Sequence, residues 1–219
     1  MSHAPIYLLR HGETEWNTQR RMQGLLDSPL TLRGREQARA LGLALRPILR
    51  RHEAATSIVS SPQGRALATA RLVAEQVGIA ADAIATDARL SEMTWGAMDG
   101  HTVPEIEIKW PGQVAARRAR HWDYVPPGGE SYAMVRERLR PLVAAWREAS
   151  APLVVVSHGA VGRVVRGLYL SLTPAQIVVL GEPQHVAFRL HEGKIEEIGA
   201  DCEGDATQPA ALFSPSSPA

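Results

Sequence analysis

Residues 6–9, 57–59 and 153–156 are short runs dominated by apolar side chains, the pattern of strands buried on both faces. Each is followed by a stretch of helical periodicity. After the first, Ala38, Leu41, Leu45, Ile48 and Leu49 mark one face of a helix that starts near Thr31 and is expected to kink or end around Pro47. After the second, Ser61-Pro62 reads as an N-cap with a proline in the first turn, opening a helix that carries Ala66, Leu67, Ala70, Val73 and Val77. After the third, Gly159 opens a segment with Val161, Val164, Val165 and Leu168. Strand-helix alternation of this kind predicts an α/β fold, a mostly parallel central sheet flanked by helices on both faces.

Between about residues 93 and 130 the pattern gives way to Trp, Pro and Arg with weaker periodicity, which predicts a helical lid inserted over the sheet's edge. Ser131 then caps a long helix with Val135, Leu139, Leu142, Val143 and Trp146 on one face; Pro141 inside it costs about 3 kcal/mol in a regular interior, and a kink is expected there. Residues 185–190 and 195–198 read as two strands around a turn at His191-Glu192-Gly193-Lys194. From Asp201 onward Pro, Ser, Ala and Gly dominate. The expected organisation is one domain over residues 1–200, with the lid inside it, and a tail over 201–219.

Composition narrows the partners. The charge is near neutral, with 24 basic and 23 acidic residues, so no broad basic field favours nucleic acid or an anionic membrane surface, and any anion binding has to be local. The single cysteine, Cys202, excludes an internal disulfide framework and suits a reducing compartment. No charged-then-apolar leader and no run of transmembrane length is visible, so the expectation is a cytoplasmic protein, a monomer or homodimer, acting on a small molecule.

The chemistry concentrates where the runs end. In open parallel sheets, ligands sit beyond the carboxyl ends of the strands, where helix N-termini offer unpaired N–H groups to an anion. Arg10-His11-Gly12 and His158-Gly159 both fall at that edge, and Arg65, in the first turn after Ser61-Pro62, points to it too. Guanidinium groups pair bidentately with phosphate oxygens, so this set fits a phosphoryl group better than a carboxylate or sulfate. Glu92, with Gly96 and Gly100 nearby, adds a carboxyl that a dry, anion-occupied pocket would make a general acid. His3, His52, His101, His121, His185 and His191 have no metal-type spacing and read as structural or surface groups. Arg117, Arg118 and Arg120 read as a solvated face, with a lesser chance of meeting a second anionic group on the substrate; Trp16, Trp95, Trp110 and Trp122 read as packing, with Trp95 the best placed to touch substrate.

Four blocks in order resemble the signature of the histidine phosphatase superfamily, the phosphoglycerate mutase-like family: Leu9-Arg10-His11-Gly12-Glu13-Thr14; Ser60-Ser61-Pro62 with Arg65-Ala66 and Thr69-Ala70; Leu90 with Glu92, Gly96 and Gly100; and Ser157-His158-Gly159. Arg21-Met22-Gln23-Gly24 and Asp27-Ser28-Pro29-Leu30-Thr31 are similar to it as well. The resemblance implies a phosphohistidine on His11, phosphoryl binding by Arg10, Arg65 and His158 with help from Asn17 and the Gly159 N–H, and proton transfer by Glu92. It places Gln23 and Gly24 on the substrate side and implies no metal ion.

The leading expectation is a phosphatase of small phosphate monoesters. The alternative is a phosphoglycerate mutase, which would use bisphosphoglycerate; mutases of that type carry Glu-Arg-His-Tyr-Gly and a following lysine, where this chain has Glu92-Met93-Thr94-Trp95-Gly96 and Val103. The segment from Asp123 to Ser131 is closer to the broad phosphatase branch. A phosphate-binding module without turnover is a third, weaker possibility.

Overall fold

The structure, a computed structural model, describes residues 3–50 and 56–200. In chain order it runs β1 (Ile6–Arg10), α1 (Glu15–Thr18), α2 (Leu32–Leu49), β2 (Ser57–Ser60), α3 (Gly64–Val77), β3 (Ala85–Thr86), α4 (Val103–Lys109), α5 (Gln113–Ala119), α6 (Tyr132–Arg147), β4 (Leu153–Ser157), α7 (Gly159–Leu170), α8 (Pro174–Val178), β5 (Val186–His191) and β6 (Lys194–Gly199). The strands form one six-stranded sheet in the order β3-β2-β4-β1-β5-β6. β3, β2, β4 and β1 are parallel, and β5 and β6 add an antiparallel edge through a hairpin. The expected α/β fold with a mostly parallel sheet is therefore present.

Side chains alternate across this sheet and build two cores. Ile6 and Leu8 of β1 with Val155 of β4 face α6, α7 and α8; Tyr7, Leu9, Val154 and Val156 face α2 and α3. Fully burying such a side chain contributes roughly 2 kcal/mol, which is why both faces of the central strands read as apolar. A third, smaller cluster joins Met22 to Trp95, Met98, Ile106 and Val114 of the segment expected to be a lid, with Trp110 packed against it.

Three local expectations change. The helix α2 runs through Pro47 to Leu49: the proline sits in the last turn, and the carbonyl it leaves unbonded belongs to the exposed Leu43. α6 is likewise continuous through Pro141, which is exposed with Glu137 one turn earlier, so the freed carbonyl meets solvent. The N-cap of α3 is Gln63, not Ser61; the Ser61 hydroxyl instead accepts the Gln63 N–H at 3.3 Å and turns toward His158. Thr31 and Ser131 cap α2 and α6 as expected. His52 and the tail over 201–219, with Cys202, lie outside the described residues.

The loop that leaves β1 is pressed directly onto the start of α2. The Glu13 carbonyl accepts the Thr31 N–H at 2.9 Å, the Glu13 N–H donates to Gln37, and the Gly12 N–H donates to Thr69 Oγ1 at 3.0 Å. A Cβ on Gly34 would stand 2.0 Å from the Glu13 carbonyl oxygen, and one on Gly12 would stand 2.1 Å from that of Gly34. Neither neighbour is a flexible side-chain end, so no rotamer change relieves the clash. Gly34→Ala is expected to lower stability by about 2 kcal/mol in urea unfolding; a change under a few tenths would show that the loop does not need this close approach.

Candidate active site

His11 is the first residue beyond β1, and its N–H continues the sheet ladder to the Ser157 carbonyl at 2.9 Å. Its ring is buried, at 2% exposure, with Nδ1 2.8 Å from the Gly12 carbonyl. A carbonyl only accepts, so Nδ1 carries the proton of the neutral ring and Nε2 keeps a lone pair. Burial, and then the charges of Arg65 and Arg10, hold the His11 pKa well below 6.5 against the opposing Gly12 hydrogen bond. His158 lies edge-on behind it, ring centroids 5.2 Å apart. Its pKa too is held well below 6.5, by burial, Arg65, His11 and Arg10 in that order. The Ser61 hydroxyl is 2.8 Å from His158 Nε2 and accepts the Gln63 N–H with one lone pair, leaving its proton available to the ring. His158 Nδ1 is buried with no hydrogen-bond partner among the described residues, and it carries the ring proton when Ser61 donates to Nε2.

Two guanidinium groups share this edge. Arg65, 1% exposed, is held by the loop before it: Nη1 donates to the Leu26 carbonyl (2.7 Å) and Asp27 (3.1 Å), and Nη2 to the Gly24 carbonyl (3.0 Å). Arg10 donates from Nη1 to the Glu182 carbonyl at 2.6 Å. In both, Nε is buried without a hydrogen-bond partner. Buried donors of this kind are rare unless water or a ligand oxygen meets them.

Glu92 stands across the same pocket. The turn carrying it is pinned from three sides: Gln63 accepts the Glu92 N–H at 2.7 Å and donates to the Gly24 carbonyl at 2.8 Å, Arg138 donates to the Ser91 carbonyl at 2.8 Å, and Ser157 Oγ donates to the Leu90 carbonyl at 2.8 Å. Burial raises the Glu92 pKa, and the nearby Glu182 adds to the rise, against the Met93 N–H bond and the charges of Arg65 and Arg10. The upward shift favours the proton-bearing form of Glu92 in the same pocket as a neutral His11 ring.

Arg10, His11, Arg65 and Glu92 line one pocket together with Asn17, Gln23, Gly24 and Trp95. His158 and Gly159 border a smaller adjoining cavity that shares Arg10 and Glu182 with it, and the His158 ring backs directly onto His11. At Gly159 a Cβ would stand 1.9 Å from a Glu182 carboxylate oxygen, the end of a flexible side chain that would have to swing aside. Gln23 donates to Thr14 Oγ1 at 2.8 Å, and its Oε1 is buried without a partner.

The lid end departs from expectation. Arg117 is not on a solvated face: it is 3% exposed, lies 3.8 Å over the Trp95 ring and lines the pocket. Burial lowers its pKa to about 10. Arg118 and Arg120 are exposed, and Arg120 pairs with Asp123 at 2.9 Å. His121, expected to be structural, also lines the pocket, with burial and the charges of Arg117 and Arg163 lowering its pKa to about 4. His3, His101, His185 and His191 are not among the pocket residues. Tyr132, Arg163 and Glu182 are further lining residues that the sequence did not single out. Arg163 donates to the Tyr132 hydroxyl at 2.9 Å and approaches Glu182 at 3.5 Å. Alternating patterns flag these positions only as parts of helices or loops, and nothing local marks them as facing the pocket. Among the described residues no group of three or more His, Cys, Asp or Glu is arranged to hold a metal, and no helix is long and apolar enough to cross a membrane.

Comparison with known proteins gives consistent neighbours. The family model described as Histidine phosphatase superfamily (branch 1) matches residues 6–191. A Citrobacter koseri protein named "Probable phosphoglycerate mutase GpmB" is 38% identical over 160 residues, 70% of this chain and 69% of its own length. The structure of a mycobacterial glucosyl-3-phosphoglycerate phosphatase in complex with VO3 is 30% identical, covers 90% of this chain and 100% of its own, and superposes with a TM-score of 0.72. Bacillus stearothermophilus YhfR, also 30% identical, covers 93% of this chain and 98% of its own at a TM-score of 0.71.

A depressed histidine pKa means that the unfolded chain binds the proton more tightly than the folded one. Both rings are expected to stay neutral in nitrogen-15 spectra from pH 8 down to 6, and stability is expected to fall as pH drops below about 6.5. A His11 titration with a midpoint near 6.5 would contradict the assigned environment.

Proposed function

The chain belongs to the histidine phosphatase superfamily, and from that premise we propose that it is a phosphatase of small phosphate monoesters that works through a phosphohistidine on His11. The observation that carries this reading is the pairing, in one pocket, of a neutral His11 whose Nε2 holds a lone pair with a Glu92 whose carboxyl is shifted toward its protonated form.

In the first step the Nε2 lone pair attacks phosphorus, the bond to the ester oxygen breaks, and Glu92 gives its proton to the departing alkoxide. In the second, water attacks the phosphohistidine, Glu92 takes the water's proton, and the P–N electron pair returns to the ring. Charge on the transferring group is met by Arg10, Arg65 and the His158 Nδ1–H, with Asn17 and the Gly159 N–H adding hydrogen bonds. These donors supply the neutralisation that a metal ion gives elsewhere, so the reading requires none. Gln23, Gly24 and Trp95, together with Arg117, Arg163, Tyr132 and Glu182, would face the leaving group. The mycobacterial neighbour named as a phosphatase supports hydrolysis.

The second reading is a mutase, in which the phosphohistidine returns its group to a bound acid. It is favoured by the names of the curated relatives. Against it stand Met93-Thr94-Trp95 and Val103 in place of the mutase residues, and a Glu182 carboxylate on the pocket wall. Interconversion of phosphoglycerates stimulated by bisphosphoglycerate, without net phosphate release, would select it.

Phosphate release from sugar phosphates, phosphoglycerates and an aryl phosphate, assayed in EDTA, is expected for the wild type and to fall at least about 1,000-fold in His11→Ala. Near wild-type release by that variant would overturn the nucleophile. Glu92→Gln is expected to slow alkyl esters by about 100-fold or more and aryl esters much less, because only the poor leaving group needs the proton. Equal losses would remove Glu92 from that role.

A further inference from the structure

The segment between α8 and β5 is held with unusual care. Three successive carbonyls are each bonded to an arginine: Leu180 to Arg163 Nε at 2.6 Å, Gly181 to Arg166, and Glu182 to Arg10 Nη1 at 2.6 Å. Two residues on is Gln184, 5% exposed. Its side-chain amide nitrogen donates both to the His11 main-chain carbonyl, at 3.1 Å, and to Asn17 Oδ1, at 3.0 Å.

The sense of these bonds is fixed by main-chain groups. A carbonyl only accepts, so the His11 contact sets which end of the Gln184 amide faces this way. A main-chain N–H only donates, and that of Thr14 meets Asn17 Oδ1 at 3.0 Å, so the Asn17 amide is set independently in the matching sense. With Oδ1 taken by two donors, Asn17 has Nδ2 left for the pocket it lines with Arg10, His11 and Arg65. The Asn17 N–H of α1 in turn donates to Thr14 Oγ1 at 3.1 Å, so the asparagine backbone is fixed as well.

We propose that Gln184 is a positioning residue: it locks the Asn17 amide so that its N–H groups, and not its oxygen, face the phosphoryl group, and it ties that donor to the main chain of His11. The inference rests on the phosphoryl-binding reading of the pocket. An amide turned the other way would set an oxygen against an anion, and the Thr14 bond alone is a single restraint on an otherwise freely rotating group.

The test is a double-mutant cycle with inorganic phosphate as the probe, its dissociation constant measured by calorimetry on the full chain, with thermal unfolding recorded for every variant. Gln184→Ala and Asn17→Ala are each expected to weaken phosphate binding about tenfold, and the double variant no more than Asn17→Ala alone, because the glutamine acts through the asparagine. Gln184→Glu keeps the shape but replaces the donor by an acceptor, which draws Asn17 Nδ2 away from the pocket; it is expected to bind phosphate at least as weakly as Gln184→Ala and to unfold at a lower temperature than wild type, because its carboxylate is buried against the His11 carbonyl. Losses that add in the double variant, or a Gln184→Glu variant that binds like wild type, would overturn the proposal while leaving the site intact. Failure of the wild type to bind phosphate at all would overturn the phosphoryl reading, and the proposal with it.

Discussion

Arg10 at the end of β1 lies opposite Ser157 at the end of β4, in parallel register, and the ladder is extended by one bond from His11 N–H to the Ser157 carbonyl. Two residues that follow equivalent strand ends, His11 and His158, therefore leave the sheet side by side, with ring centroids 5.2 Å apart. A one-residue slip of either strand would turn its apolar faces over and carry its histidine away, so the two cores that hold the register also hold the rings together. Each further part of the pocket is placed relative to this pair.

The cost of that placement is electrostatic. Two guanidinium groups and two imidazoles crowd one sheet edge, and Arg65 is almost wholly removed from water. A buried cation left unpaired costs several kcal/mol, and the chain offsets it with the carbonyls of Gly24 and Leu26 and the carboxylate of Asp27. The imidazoles meet the same field by staying neutral. This consequence is useful for chemistry, because a neutral ring is the nucleophilic one, and the donors left over are those an anion would use. Glu92 answers the same environment in the opposite sense, since burial favours its uncharged, proton-bearing form.

Much of this was legible because it is local. Apolar runs at 6–9 and 153–156 and the Arg-His and His-Gly pairs that follow them are contiguous in sequence, and Thr31 and Ser131 sit where capping chemistry demands. What was not legible depends on contacts across the fold. Arg117 looks like one of several exposed lid arginines until α5 folds it over Trp95, and His121 has no signal beyond its neighbours. Gln184 lies 167 positions from Asn17 and in none of the four blocks. Ser61 misled for a physical reason: a serine before a proline is a good cap, but its hydroxyl was already engaged with His158, and the cap moved to Gln63.

Among the described residues, arginine side chains tie several parts of the fold together. Arg138 pins the Glu92 turn to α6, Arg21 ties the 21–24 loop to α4 through Glu105 at 2.8 Å, and Arg163, Arg166 and Arg10 hold the 180–182 carbonyls. The central claim, that His11 Nε2 becomes covalently phosphorylated, is tested most directly by trapping the intermediate. Protein mixed with a radiolabelled phosphate monoester and quenched in alkali should carry an acid-labile, alkali-stable label on the peptide containing His11. Label on a different residue, or turnover with no trapped phosphohistidine under conditions where water attack is rate-limiting, would contradict it.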